Sequence, residues 1–146
     1  MKKVLIVEDD RKIGLALFAR LRANGYEAFI ALDAEAGLKM AIKHRPDLVI
    51  LDISLPTRSG LNLAAQLRSL PMTTGMALIF MTAHHNIRGF QTKAAELGAV
   101  AFIEKPLKDG ELISVVRMAL AETPTTPPAT PSQENTSDSQ KSGPLS

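Results

Sequence analysis

The sequence predicts an α/β protein: a parallel sheet with helices on both faces. Three observations carry this. Short apolar runs recur, among them Val4 to Val7, Leu48 to Leu51 and Ala101 to Ile103. Runs of that length read as strands buried on both faces. Between them, apolar residues return at helical spacing, so strand and helix patterns alternate five times through residues 1–122. That alternation implies right-handed βαβ units. Finally, charged residues close the apolar runs: Glu8 and Asp9 the first, Asp52 the second, and Lys105, one residue past Glu104, the third.

The strands are expected near 3–8, 27–32, 47–52, 77–82 and 100–104. After the first, Ile13, Leu17 and Leu21 mark a helix that Gly25 can stop. After the second, Asp33 is placed to cap a helix whose inward face is Leu38, Ala41 and Ile42. Pro46 prevents that helix from continuing. The third helix carries Leu63, Ala64 and Leu67 ahead of Pro71, and the fourth carries Phe90, Ala94 and Leu97 ahead of Gly98. The fifth turns Leu112, Val115, Val116 and Ala119 inward.

The 146 residues suffice for one domain with a core. The absence of cysteine excludes disulfides, thiolate zinc sites and cysteine nucleophiles. Lys2 and Lys3 precede an apolar run too short for a signal peptide or a membrane span, so the expected location is the cytoplasm, with no membrane contact. The net charge of +2 is spread thinly, and no basic run forms a stripe for nucleic acid, so direct nucleic-acid binding is not expected. Composition changes after Glu122. Residues 123–146 hold five of the nine prolines and one large apolar residue, Leu145. They are expected to form a disordered tail or the start of a linker. They are too few for an output module, which leaves a stand-alone domain or a fragment of a longer protein.

In an open α/β sheet, ligands sit beyond the carboxyl ends of the strands. Glu8, Asp9, Asp52 and Lys105 should therefore meet at one sheet edge. Three crowded carboxylates repel, and a hard cation bound by oxygen relieves the repulsion. A carboxylate pocket with Mg²⁺ and a lysine suits phosphoryl transfer. Each residue also has a plainer explanation. Asp52 alone would be a helix or turn cap, Glu8 to Asp10 a solvated loop start or a cap, Thr82 a strand-end residue and Lys105 a surface charge. The plainer explanations weaken when all fall at strand ends together.

Five segments resemble the receiver domain of two-component response regulators. They are the acidic stretch Val7 to Asp10, the stretch Pro46 to Asp52, the pair Pro56 and Gly60, the stretch Phe80 to Ala83, and Lys105 with Pro106. The resemblance spans residues 2–121. It implies a flavodoxin-like (βα)5 fold with strand order 2-1-3-4-5. It further implies that Asp52 is the phosphoacceptor, taking a phosphoryl group from a histidine kinase or a histidine phosphotransfer protein. Asp9 and Asp52 would ligate Mg²⁺ directly, Glu8 would hold a metal-bound water, and the backbone carbonyl of Ser54 would complete the shell. The acidic pair aligns with Glu8 and Asp9, which leaves Asp10 to begin the first helix. Lys105 would pair with Asp52 and then with a phosphoryl oxygen, while Thr82 and the amide of Ala83 would bind another. Thr82 and Phe102 would act as the switch, altering a face with Arg88, Phe90, Lys93, Lys108 and Arg117 for a downstream protein target that the sequence does not name. Such a domain catalyses only its own phosphorylation and dephosphorylation.

Other functions fit less well. A phosphatase of the haloacid dehalogenase type also uses a strand-end Asp, but it wants a second Asp two residues on, where this chain has Ser54. A flavodoxin-like electron carrier would need a neutral loop after the first strand, and Glu8, Asp9 and Asp10 would repel the cofactor phosphate. A degenerate receiver serving only as a scaffold would not need the full set of charged residues. The adjacent His84 and His85 point different ways on any regular element, so they do not suggest a metal pair. By the resemblance, His84 and Ser54 stand where the phosphorylation lifetime is tuned. Gly14, Gly37 and Gly89 fall within helical patterns and suggest close packing, since no glycine-rich loop follows a strand.

Overall fold

The computed structural model describes residues 1–56, 58–83, 88–108 and 110–121, with only the backbone of Arg88 and Gly89. Along the chain run β1 (Lys3–Val7), α1 (Arg11–Ala23), β2 (Glu27–Ala31), α2 (Ala34–His44), β3 (Leu48–Asp52), α3 (Gly60–Ser69), β4 (Ala77–Thr82), α4 (Arg88–Glu96), β5 (Ala99–Glu104) and α5 (Glu111–Ala119). The strands form one parallel sheet in the order β2-β1-β3-β4-β5. This is the expected flavodoxin-like arrangement. No helix among the described residues is long and apolar enough to cross a membrane.

Successive strand residues point to opposite faces, so an apolar run supplies both layers of core. Leu5, Val7, Val49, Leu51, Leu78 and Phe80 pack under α2, α3 and α4. Val4, Ile6, Leu48, Ile50, Ile79 and Met81 pack under α1 and α5. Both layers are continuous because β1, β3 and β4 lie inside the sheet and are apolar except for one terminal residue each, Lys3, Asp52 and Thr82.

Helix starts follow local chemistry. Asp10 caps α1 by accepting from the amides of Lys12 and Ile13, and Asp33 caps α2 by accepting from that of Ala36. Ser59 caps α3. Each cap satisfies amides that have no partner within the first turn. Helix α2 stops at His44, where Arg45 adopts a left-handed conformation ahead of Pro46.

Two details differ from the sequence expectation. Four strands differ from expectation by one residue at one end, and β4 spans 77–82 as expected. Glu8 still donates its amide to the Ala31 carbonyl, but its side chain belongs to the sheet edge. Also, α2 buries Ala34, Gly37 and Ala41, with Leu38 beside them, and leaves Ile42 exposed. Close approach explains this. A Cβ on Gly37 would sit 3.0 Å from Val7 Cγ2 and 3.1 Å from Leu63 Cδ2, so small residues must form the contact stripe. The expected tail at 123–146, Glu122, and His84 and His85 lie outside the described residues.

Candidate functional site

Parallel strands all end at the same sheet edge, and the observed order puts β3 between β1 and β4. Glu8 and Asp9 leave β1, Asp52 ends β3, Thr82 ends β4, and Lys105 follows β5. The β3–β4 register sets Asp52 opposite Met81, one residue short of Thr82. The Lys105 amide donates to the Thr82 carbonyl at 2.8 Å, which ties the backbone of the lysine to the end of β4.

The side chains converge as expected. Ligand atoms of Glu8, Asp9 and Asp52 lie within 4.8 Å of one another. Glu8 and Asp52 are buried, whereas Asp9 is exposed. Lys105 Nζ lies 2.9 Å from Asp52 Oδ2 and 2.6 Å from Glu8 Oε1. Asp52 Oδ1 accepts from the Ser54 amide at 3.0 Å, and Glu8 Oε2 accepts from the Asp10 amide at 3.1 Å.

Three carboxylates and one ammonium leave two net negative charges when all are ionised, matching a divalent ion. The donors are oxygen atoms, and two of the three carboxylates, those of Glu8 and Asp52, are buried. This donor set fits a hard cation such as Mg²⁺. The electrostatics agree. Burial pushes the Glu8 carboxyl up to about 7, against the pull of Lys105 and the Asp10 amide, and neighbouring Asp52 adds to the rise. The two carboxylates hold the Lys105 ammonium above its usual range even though burial opposes this.

The raised Glu8 carboxyl predicts a pH dependence. Its folded value exceeds the ordinary 4.5, so the folded protein holds an extra proton between the two. That stabilisation is complete below 4.5 and is lost as pH rises through about 7. Metal-free parent protein should therefore lose stability relative to Glu8→Gln across this window. Urea unfolding of both proteins at pH 5 and pH 8 in chelator measures it, and a difference that does not change with pH rejects it. Divalent ion should tighten on the parent over the same range, because binding requires the carboxylate.

Thr82 is buried at the end of β4. Phe102 is half-buried and stacks on Phe80 with ring centroids 6.2 Å apart, while Phe90 meets it edge-on at 5.6 Å. Phe90 thus points into the core and does not belong to the outer face where it was expected. The aromatic trio escaped the sequence because its members come from β4, α4 and β5. Gly60 also has a larger part than its place in a motif suggested. A Cβ there would collide with the Asp52 carbonyl oxygen, and the Gly60 amide donates to the Ile53 carbonyl at 2.9 Å. The start of α3 is therefore seated against the backbone that carries Asp52. No sequence pattern signals that contact.

Residues 4–117 match the response regulator receiver domain family. The chain is 35% identical over 116 residues to the transcriptional regulatory protein DltR of Streptococcus agalactiae, covering 80% of this chain and 50% of that protein. It is 37% identical over 120 residues to the transcriptional regulatory protein PcoR of Escherichia coli, covering 82% and 52%. It thus spans about half the length of these curated relatives. Among solved structures, a putative response regulator from Chloroflexus aurantiacus superposes with a TM-score of 0.76 at 32% identity, covering 83% of this chain and 98% of the other. A CheY-like receiver domain protein from Methanospirillum hungatei gives 0.77 at 30%, covering 83% and 94%.

Proposed function

This chain belongs to the response regulator receiver domain family of two-component signalling, and from that premise we propose that Asp52 is its phosphoacceptor. The observation that supports this most directly is that Lys105 Nζ lies within 3 Å of carboxylate oxygens from both Glu8 and Asp52 at the carboxyl edge of the sheet. The donor is a phosphohistidine on a histidine kinase or phosphotransfer protein. An Asp52 oxygen forms the new O–P bond as the P–N bond breaks, and the electron pair leaves with the imidazole.

Asp9 and Asp52 would hold Mg²⁺ directly, with Glu8 acting through a water and the Ser54 carbonyl completing the shell. Bound there, the ion would neutralise charge that develops on the phosphoryl oxygens. The protein's own part is positioning. The Ser54 amide orients one carboxylate oxygen of Asp52, and the Lys105 ammonium is placed to pass from the other to a phosphoryl oxygen. Thr82 and the Ala83 amide would take a second phosphoryl oxygen. The module consumes only its own acyl phosphate. It works in the cytoplasm through contacts with proteins, without binding nucleic acid itself. The domain occupies 1–122, and 123–146 is a tail or a linker. A second arrangement is an N-terminal fragment of a longer response regulator or hybrid kinase, which the half-length match to its relatives favours.

The test uses acetyl phosphate and intact-protein mass spectrometry. One phosphoryl group should add in Mg²⁺ and none in chelator, and hydroxylamine should strip it. Label on a peptide without Asp52 would overturn the assignment.

Transmission follows from the same edge. Drawing Thr82 toward a phosphoryl group shifts the end of β4, where Phe80 supports the Phe102 ring. Phe102 then repacks, and the outer face that includes Lys93, Lys108 and Arg117 changes shape for a downstream partner. Thr82→Ala should keep acetyl phosphate labelling within about threefold, yet lose most of the coupling, typically about 1–3 kcal/mol. The measurement is the chemical-shift change over residues 90–121 on adding beryllofluoride, a phosphoryl mimic. A parent-like response from Thr82→Ala would reject this route.

A further inference from the structure

We propose that Arg68 is a positioning residue of the switch: it locks the entry ends of β4 and β5 and the C-terminal end of α4, so that displacement at Thr82 is delivered to Phe102. This rests on the acceptor and switch reading above. Arg68 lies in the last turn of α3, at the sheet edge opposite Asp52. Its guanidinium donates to four main-chain carbonyls: Nε to Leu97 at 2.7 Å, Nη1 to Thr74 and Met76 at 2.6 Å each, and Nη2 to Gly98 at 3.3 Å.

Those partners are well placed for a clamp. Leu97 and Gly98 follow the last residue of α4, where helix carbonyls lack partners and a cation suits the dipole. Met76 immediately precedes β4, and Gly98 immediately precedes β5. One planar fork therefore spans the start of two neighbouring strands. The ladder between them needs this. Leu78 pairs with Ala99 but Ile79 pairs with Ala101, so Val100 is an extra residue just above the clamp. A bulge of this kind interrupts pairing and lets a strand bend. Without the guanidinium, a pull at Thr82 would be absorbed by slippage at the bulge and tilting of α4. With it, the lower end is fixed, and movement is confined to the upper end, where Phe102 lies. Helix α3 is then a strut, seated on the Asp52 backbone through Gly60 and on the clamp through Arg68.

The test compares Arg68→Met with Thr73→Val in the full chain. Thr73 Oγ1 donates to the Leu67 carbonyl at 2.6 Å and reaches that of Leu70 at 3.5 Å, so its loss weakens the end of α3 while leaving the Arg68 bonds to the entries of β4 and β5 in place. Urea is used to match global stability. Without any ligand, amide exchange over residues 93–101 should be at least about tenfold faster in Arg68→Met than in Thr73→Val. Arg68→Lys should fall between, since one ammonium cannot reproduce the fork. With beryllofluoride, Arg68→Met should bind within about threefold of parent, while the shift change at Phe102 falls by at least about half. Equal exchange in the two variants, or a parent-like Phe102 response, would overturn the clamp. If beryllofluoride fails to bind the parent protein, the acceptor reading fails, and the exchange comparison still judges the clamp.

Discussion

Asp52→Asn should take no phosphoryl group from acetyl phosphate, and in chelator it should be more stable than the parent. The first effect is total, because an amide offers no nucleophilic oxygen for the acyl phosphate. The second follows from crowding. Asp52 is buried with ligand atoms of Glu8 and Asp9 within 4.8 Å, and Lys105 must serve two carboxylates at once. Removing one charge leaves Lys105 to Glu8 alone at 2.6 Å, and an Asn oxygen can still accept from the Ser54 amide. At the separations involved, the relieved repulsion is about 1–2 kcal/mol once the lost attraction to Lys105 is set against it. Urea unfolding in chelator at pH 8, where Glu8 is ionised, measures it. The gain should vanish in millimolar Mg²⁺, because the variant loses a ligand. Residual labelling would place the acceptor elsewhere. A variant less stable than the parent in chelator would mean that Lys105 and the Ser54 amide outweigh the crowding.

Gly60→Ala should damage the site from outside it. The added methyl would collide with the Asp52 carbonyl oxygen and approach Asp52 C at 3.1 Å and Ile53 Cα at 3.2 Å. These are backbone atoms inside the sheet edge and cannot swing aside as a side chain can. The start of α3 must retreat, or the end of β3 must move. We expect a loss of about 2–3 kcal/mol, the scale of overpacking. Labelling should slow by about a hundredfold if Asp52 shifts by a fraction of an ångström, since transfer depends on alignment. Thermal unfolding and the rate of label uptake are the two readouts. Parent-like values for both would show that α3 yields freely there.

The site was legible from the sequence to an unusual degree because parallel strands share an edge. Once Glu8, Asp9, Asp52 and Lys105 are seen to close separate strands, topology alone brings them together. The caps at Asp10 and Asp33 were legible for a similar reason, since a carboxylate and the amides it accepts from are three or fewer residues apart. Ile42 was misplaced because apolarity signals a buried face, whereas the packing of α2 is governed by how closely its backbone approaches the side chains of Val7 and Leu63, and small residues permit it.

By itself, then, the sequence determined the α/β class, the alternation of elements, the edge where charge gathers and the family's motif residues. These depend on local patterns and on one rule of parallel sheets. Tertiary structure alone decided the rest: that Lys105 touches Glu8 as well as Asp52, that Phe102 leans on Phe80 and Phe90, that Gly60 lies on the Asp52 backbone, and that Arg68 gathers carbonyls from two connections. Each of these joins residues far apart in the chain at distances of a few ångströms. Such contacts depend on how helices sit on the sheet, and no periodicity within one segment encodes that.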